Sequence, residues 1–199
     1  MRPSIFLLSP AHCGGKRAQL LLGGRGAFEL AVRLRTSGTS LGDAFSFLSG
    51  LYFRGKLAYA RAFGTPLVIT PGRGLLPPET IVTDEDLRTI ASIGVAADEP
   101  RYFEPLERDA SALAASLPPD AAVVLLGSIA TGKYVDVLQR RLDGRLRFPS
   151  AFVGRGDMSR GGLMLRCVQQ RTELGYVAIA GAARRGKRPP RLGPFPTLE

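Results

Sequence analysis

The chain of 199 residues is long enough to bury a core without staples, and its two cysteines and single histidine exclude a disulfide framework or a clustered zinc site. No run of about 18 uncharged apolar residues is present, which excludes a bilayer-spanning helix on sequence grounds. The net charge of +10 favours a polyanionic partner, DNA or RNA, and is not confined to one end: residues 183–199 hold five basic residues and one acidic, leaving 22 basic against 16 acidic before them.

The first predicted element is a buried strand over Ile5 to Leu8. Arg2 ahead of it imitates a signal peptide, but the apolar run is shorter than an h-region of roughly 7–15 residues, so the expectation is a cytoplasmic protein. The turn Ser-Pro-Ala-His-Cys-Gly-Gly, from Ser9 to Gly15, leads into a basic helix over Lys16 to Leu22, and a second helix covers Phe28 to Arg35. Residues 37–42 read as a loop. Across residues 44–63, Leu48, Tyr52, Gly55, Tyr59 and Ala62 recur at helical spacing and predict one core-facing helix, with Arg54 and Arg61 on another side and Lys56 one turn beyond Tyr52. Asp43, just before it, is either a cap or a working carboxylate.

A β-branched strand, "PLVIT", and a turn, "PGRGLLPPE", follow. In "VTDEDLRTIASIG", Thr83 is the predicted N-cap, and Asp84, Glu85 and Asp86 are charges suited to the helix dipole. A helix over Leu106 to Ser116 precedes the strand in "AAVVLLGS"; another covers Lys133 to Leu142. "RLRFPSAFV" holds a strand, "GRGDMSRGG" opens a helix near Leu163 to Gln170, and "GYVAIAG" closes the sheet. The Pro-rich basic segment 183–199 reads as a tail, disordered or draped over the surface, beyond a single domain spanning 1–182.

Strands alternating with helices predict an α/β fold, a three-layer α/β/α sandwich around a mainly parallel sheet. Ligands then sit at the carboxyl ends of the strands, in the loops 9–17, 70–78, 127–133 and 149–162. "GSIATGKY" misses a P-loop by one residue, because Tyr134 stands where a magnesium-binding Ser or Thr is required; Lys133 and free amides suit a phosphate of another ligand. In "GRGDMS", the Arg-Gly-Asp triplet is coincidental without secretion, whereas Arg155, Asp157, Ser159 and Arg160 among glycines suit a ligand loop or a tight turn capped by Asp157. Cys13 has no dyad partner beyond His12, which argues against thiol catalysis.

"FPSAFVGRGDMSRGG" resembles the leucine-loop region of uracil-DNA glycosylases, and "SPAHCGG" resembles their first motif, an Asp-Pro-x-His turn after strand one. "SGLYFRGKLAYARAFG" with "LVITPGRGLLPPETI" is similar to the glycosylase-like domain of archaeosine synthase and its bacterial relatives. The resemblance covers most of residues 4–182 and implies a uracil-DNA-glycosylase-like fold, no cofactor and no metal, with His12 and Ser9 in the first motif and Pro149 and Ser150 in the second. Two departures matter: Ser9 stands where the water-activating Asp belongs, and Phe148 where the second motif has His. The carboxylate must come from elsewhere.

Hydrolysis of an N-glycosidic bond passes through a sugar cation that a carboxylate stabilises, while the leaving base gathers negative charge. Asp43 and Asp157 are the candidate carboxylates, His12 or Arg155 the candidate donors, and Tyr52 or Phe53 the face on which an extruded base would stack. Lys16, Arg17, Arg54, Lys56, Arg73, Lys133 and Arg160 would hold the nucleic-acid backbone, with Ser9 and Ser150 lining the substrate site. The leading expectation is a monomeric DNA glycosylase acting on a modified or damaged base and leaving an abasic site; the missing uracil motifs favour a non-standard base such as the bulky cytosines of phage DNA, and so a defence role. The competing expectations are a non-catalytic nucleic-acid-binding domain serving repair or tRNA modification, and an enzyme of small nucleotides.

Overall fold

The apolar runs at residues 4–8 and 123–126 become the adjacent central strands of a six-stranded sheet in the computed structural model, which describes residues 4–24, 26–96 and 98–193. Ser4–Leu8 (β1) pairs in parallel with Gly64–Thr70 (β3) on one side and Val123–Leu126 (β6) on the other, and Leu146–Pro149 (β7) continues the parallel order beside β6. Phe6, Leu7, Leu8 and all of β6 are fully buried, so both faces of the sheet centre are covered, as continuous apolar runs require. The class is α/β with a mostly parallel central sheet.

Its edges are antiparallel. Gly74–Leu76 (β4) folds back on β3 and Tyr176–Ala178 (β8) on β7, giving the order β4-β3-β1-β6-β7-β8. The predicted turn at residues 71–79 therefore contains a strand: Gly72 and Gly74, both at positive φ, reverse the chain within a span far too short for a parallel crossover. The predicted loop at 37–42 likewise contains Thr39–Ser40 (β2), which pairs with Ile81–Val82 (β5).

Eight α-helices occur among the described residues: Lys16–Leu22 (α1), Glu29–Thr36 (α2), Leu41–Ser49 (α3), Leu51–Phe63 (α4), Asp84–Ser92 (α5), Pro100–Ser116 (α6), Gly132–Leu142 (α7) and Asp157–Gln170 (α8). None is long and apolar enough to cross a membrane. Thr83 caps α5 through a complete capping box with Asp86, so those acids act locally on the helix start. The single helix expected over 44–63 is broken at Gly50, whose φ of 61° and ψ of −131° only glycine adopts readily; the chain turns there from α3 to α4, and Ala62 ends up exposed. Two helices start earlier than the sequence suggests. Pro100 occupies the first turn of α6, and most of "GRGDMSRGG" is the beginning of α8.

Glycines inside α8 are needed where it meets α4. A Cβ on Gly55 would lie 2.6 Å from the Gly161 carbonyl oxygen, and one on Gly161 would lie 2.6 Å from the Leu51 carbonyl oxygen. The two backbones touch, and neither can yield by rotating a side chain. Gly55→Ala and Gly161→Ala are each expected to lower unfolding stability by about 2 kcal/mol or more in urea denaturation, despite alanine's better helix propensity. Gly144→Ala, whose Cβ would meet nothing within 4 Å, is expected to be near neutral.

Candidate active site

The chain from β1 goes on to β3 on one side and that from β6 to β7 on the other, so a topological switch point, where ligands of such sheets bind, lies beyond the carboxyl ends of β1 and β6. Ser9 follows β1 directly, its amide donating to the Leu126 carbonyl at 3.2 Å. A Cβ on Gly127 would come within 3.0 Å of the Ser9 Cβ, so glycine there lets the two loops close on each other.

Lys56 reaches this point from α4. Its Nζ is fully buried and donates to the Ser9 carbonyl at 2.5 Å and to the Ser9 hydroxyl at 2.9 Å, with the Tyr52 ring centroid 4.4 Å away and that of Phe53 4.9 Å away. Burial pulls its pKa down to about 7; the Asp157 carboxylate opposes that shift, and the Arg160 guanidinium adds to it. The expectation that Lys56 holds a nucleic-acid backbone is thereby corrected, since the ammonium is spent on the end of β1. Phe53 is corrected as well: it is fully buried edge-on against Phe45, with ring centroids 5.4 Å apart, and offers no face to a base.

Tyr52, one turn before Lys56, is almost entirely buried, and its hydroxyl has no acceptor among the described residues, the Arg160 guanidinium near it being a donor. Burial drives its pKa up to about 12 against the lowering effect of Arg160, so it is a neutral donor in want of an acceptor. Tyr134, in the first turn of α7, is pushed up to about 12 by burial and by the Asp157 charge. Asp157 thus acts on Tyr52, Lys56 and Tyr134 together. Its side chain keeps 68% of its accessibility at the start of α8, 3.8 Å from Arg160, whose guanidinium is held by the Phe152 carbonyl at 3.2 Å and lies over the Phe152 ring. One exposed carboxylate, one fixed guanidinium and two neutral phenols come together from α4, α7 and α8.

The other expected residues are placed as follows. His12 is exposed, folds back over Gly14 and lines a cavity of about 380 Å³ with Cys13, Pro71, Ile93, Lys133 and Tyr134. Burial raises the Cys13 thiol to about 12, which withholds a thiolate. A cavity of about 530 Å³ at the opposite end of the sheet, beside Asp143 and Arg147, lies away from these groups. Asp43 does not join the cluster: Ser40 caps α3 by accepting from the Asp43 amide, and the carboxylate pairs with Arg33 at 3.3 Å. Arg17 donates to the Phe47 carbonyl at 3.2 Å and Arg73 to Asp86 at 3.1 Å, while Lys16 and Arg54 are exposed on α1 and α4. Ser150 is exposed after β7, bonded to the Gly175 carbonyl. Arg155 braces the loop before α8 through Ala151, Ser159 and Pro190. Among the described residues no group of three or more His, Cys, Asp or Glu side chains could hold a metal ion.

No protein-family model, curated protein or solved structure matches this chain. The site must therefore be read from its own chemistry.

Two members of the cluster were within reach of sequence reasoning. Lys56 lies four residues after Tyr52 and three before Tyr59, both buried, so its spacing placed it on the apolar face although its charge argued for solvent. Tyr134 was visible only as a defect in a P-loop.

The depressed Lys56 pKa makes stability depend on pH with a definite sign. The unfolded state, with an ordinary amine near 10.5, binds the proton more tightly than the native state at about 7, so the penalty present below pH 7 is relieved as pH rises from there toward 10. The unfolding free energy of wild type relative to Lys56→Met is expected to rise over that window by up to about 1.4 kcal/mol per pH unit. Urea denaturation of both proteins on either side of neutrality measures the difference; a constant difference would show that Lys56 does not titrate there.

Proposed function

We propose that this protein is a DNA glycosylase with a three-layer α/β/α, uracil-DNA-glycosylase-like architecture, which hydrolyses the N-glycosidic bond of a modified or damaged base. The observation that carries this reading is Asp157, an exposed carboxylate whose charge acts on Tyr52, Tyr134 and on Lys56, which is bonded to Ser9 at the switch point. A sugar cation developing at C1′ is stabilised by a carboxylate at its open face, which also orients the attacking water.

In the proposed reaction the target nucleotide leaves the stack and enters the site. The C1′–N bond breaks with its electron pair going to the base, where Arg160 and the Tyr52 hydroxyl, which has no acceptor of its own, offer stabilising donors. Water adds to C1′, its oxygen forming the new bond. One of its protons ends on the departed base, which balances the hydrolysis without a cofactor. Ser9, in the place of the water-activating Asp of uracil-DNA glycosylases, is occupied by Lys56, which favours a base other than uracil.

The test incubates purified protein in EDTA with duplexes bearing uracil, hypoxanthine, alkylated bases or glucosylated hydroxymethylcytosine, followed by alkaline cleavage of abasic sites. Asp157→Asn is expected to reduce cleavage by 10²-fold or more, roughly the worth of a positioned acid–base group, while Asp43→Asn retains it. Wild-type rates in Asp157→Asn would overturn the assignment. Tight, salt-sensitive binding without release of any base from duplex, single-stranded DNA or tRNA would favour the non-catalytic nucleic-acid-binding reading.

A further inference from the structure

Residues 183–193 carry no regular secondary structure but lie along the start of α8. The Lys187 carbonyl sits against Gly154, the Arg155 Nη1 donates to the Pro190 carbonyl at 3.4 Å, and the Arg166 guanidinium donates to the Gly193 carbonyl. A Cβ on Gly162 would be 3.6 Å from Leu192 Cδ1, an ordinary packing distance. Residues 194–199 of the predicted tail lie outside the described residues.

Between this segment and α8 runs a groove of about 370 Å³. Four of its lining residues are arginines, Arg155, Arg166, Arg188 and Arg191, and among the described residues no carboxylate lines it. Arg155 and Arg166 are oriented by the carbonyls they hold, while Arg188 and Arg191 are exposed. Pro189 and Pro190, with φ fixed by their rings, stiffen the stretch between those two. Gly156 and Met158, which flank Asp157, form part of the same wall, so the groove begins beside the candidate carboxylate. Planar guanidiniums on a braced, open track match phosphate oxygens, which they can bond in pairs.

We propose that this groove binds the phosphodiester backbone of DNA next to the nucleotide presented to Asp157, a site that rests on the glycosylase reading for its neighbour and on the arginines for its ligand. The C-terminal segment is then part of the nucleic-acid interface and not an appendage to it. Backbone contacts of this kind set affinity and salt dependence without reading sequence.

The experiment measures fluorescence anisotropy of a labelled duplex oligonucleotide through a salt titration, for wild type, for the double variant Arg188→Ala/Arg191→Ala, and for the control Arg108→Ala/Arg141→Ala on α6 and α7. Both altered pairs are exposed, and matching thermal melts establish that each variant is folded. The groove variant is expected to bind every duplex about tenfold more weakly and to flatten the slope of log K against log salt by about 2, with the control close to wild type. Equal losses in both variants, an unchanged slope in the groove variant, or no salt-dependent binding by wild type would overturn the proposal. Excision assays on the same preparations separate the two readings. Base release with an unchanged slope in the groove variant removes the groove alone. The expected slope change with no base released keeps the groove and removes the glycosylase.

Discussion

Backbone contact between α4 and α8 at Gly55 and Gly161 is the constraint on which the candidate site depends. Side chains larger than hydrogen would hold the helices apart, and the groups one residue away on α4 and α8 would lose each other. With the helices touching, Lys56 and Tyr52 on one meet the field of Asp157 and Arg160 on the other. Packing at two glycines is therefore converted into the placement of charges.

Those charges are arranged at unequal depth. Lys56 is fully desolvated, and a buried ammonium is tolerated only with good partners. It has two from Ser9 and two aromatic rings, and it answers the remaining penalty by a lowered pKa. Asp157, by contrast, stays hydrated and so remains available to a ligand. A neutral Tyr52 hydroxyl with no acceptor lies between these extremes. Many arginines elsewhere, such as Arg61 with Glu79 or Arg101 with Glu99, are exposed pairs that contribute little to stability and leave no surplus charge. On the C-terminal segment Arg184, Arg185, Lys187, Arg188 and Arg191 are all exposed.

Much of the fold was legible locally. The apolar runs of β1 and β6, the capping box at Thr83 and the helices over 16–22 and 132–142 follow from periodicity and caps that involve only near neighbours. Errors cluster where glycine acts differently from its local reputation. Gly50 ends a helix that its neighbours would continue, Gly72 and Gly74 build a hairpin from an apparent loop, and Gly161 and Gly162 lie inside a helix that their composition disguises. At the site, Asp157 and Tyr52, both named from the sequence, lie within reach of Lys56, whereas Phe53 and Lys56 are buried away from the contacts expected of them and Asp43 pairs with Arg33 apart from the cluster.

By itself the amino-acid sequence determined the α/β alternation, the main parallel strands and the basic excess, because each depends on composition or on spacing along one element. Only the tertiary structure decided that Lys56 is buried on Ser9, that Asp157 acts on Lys56, Tyr52 and Tyr134 while Asp43 pairs with Arg33, and that the C-terminal arginines line a groove along α8. The reason is the range of the forces involved. Helix and strand periods are set by neighbours a few residues away, whereas desolvation and Coulomb fields at a side chain depend on everything packed around it, and here Ser9, Lys56 and Asp157 come together from distant parts of the chain.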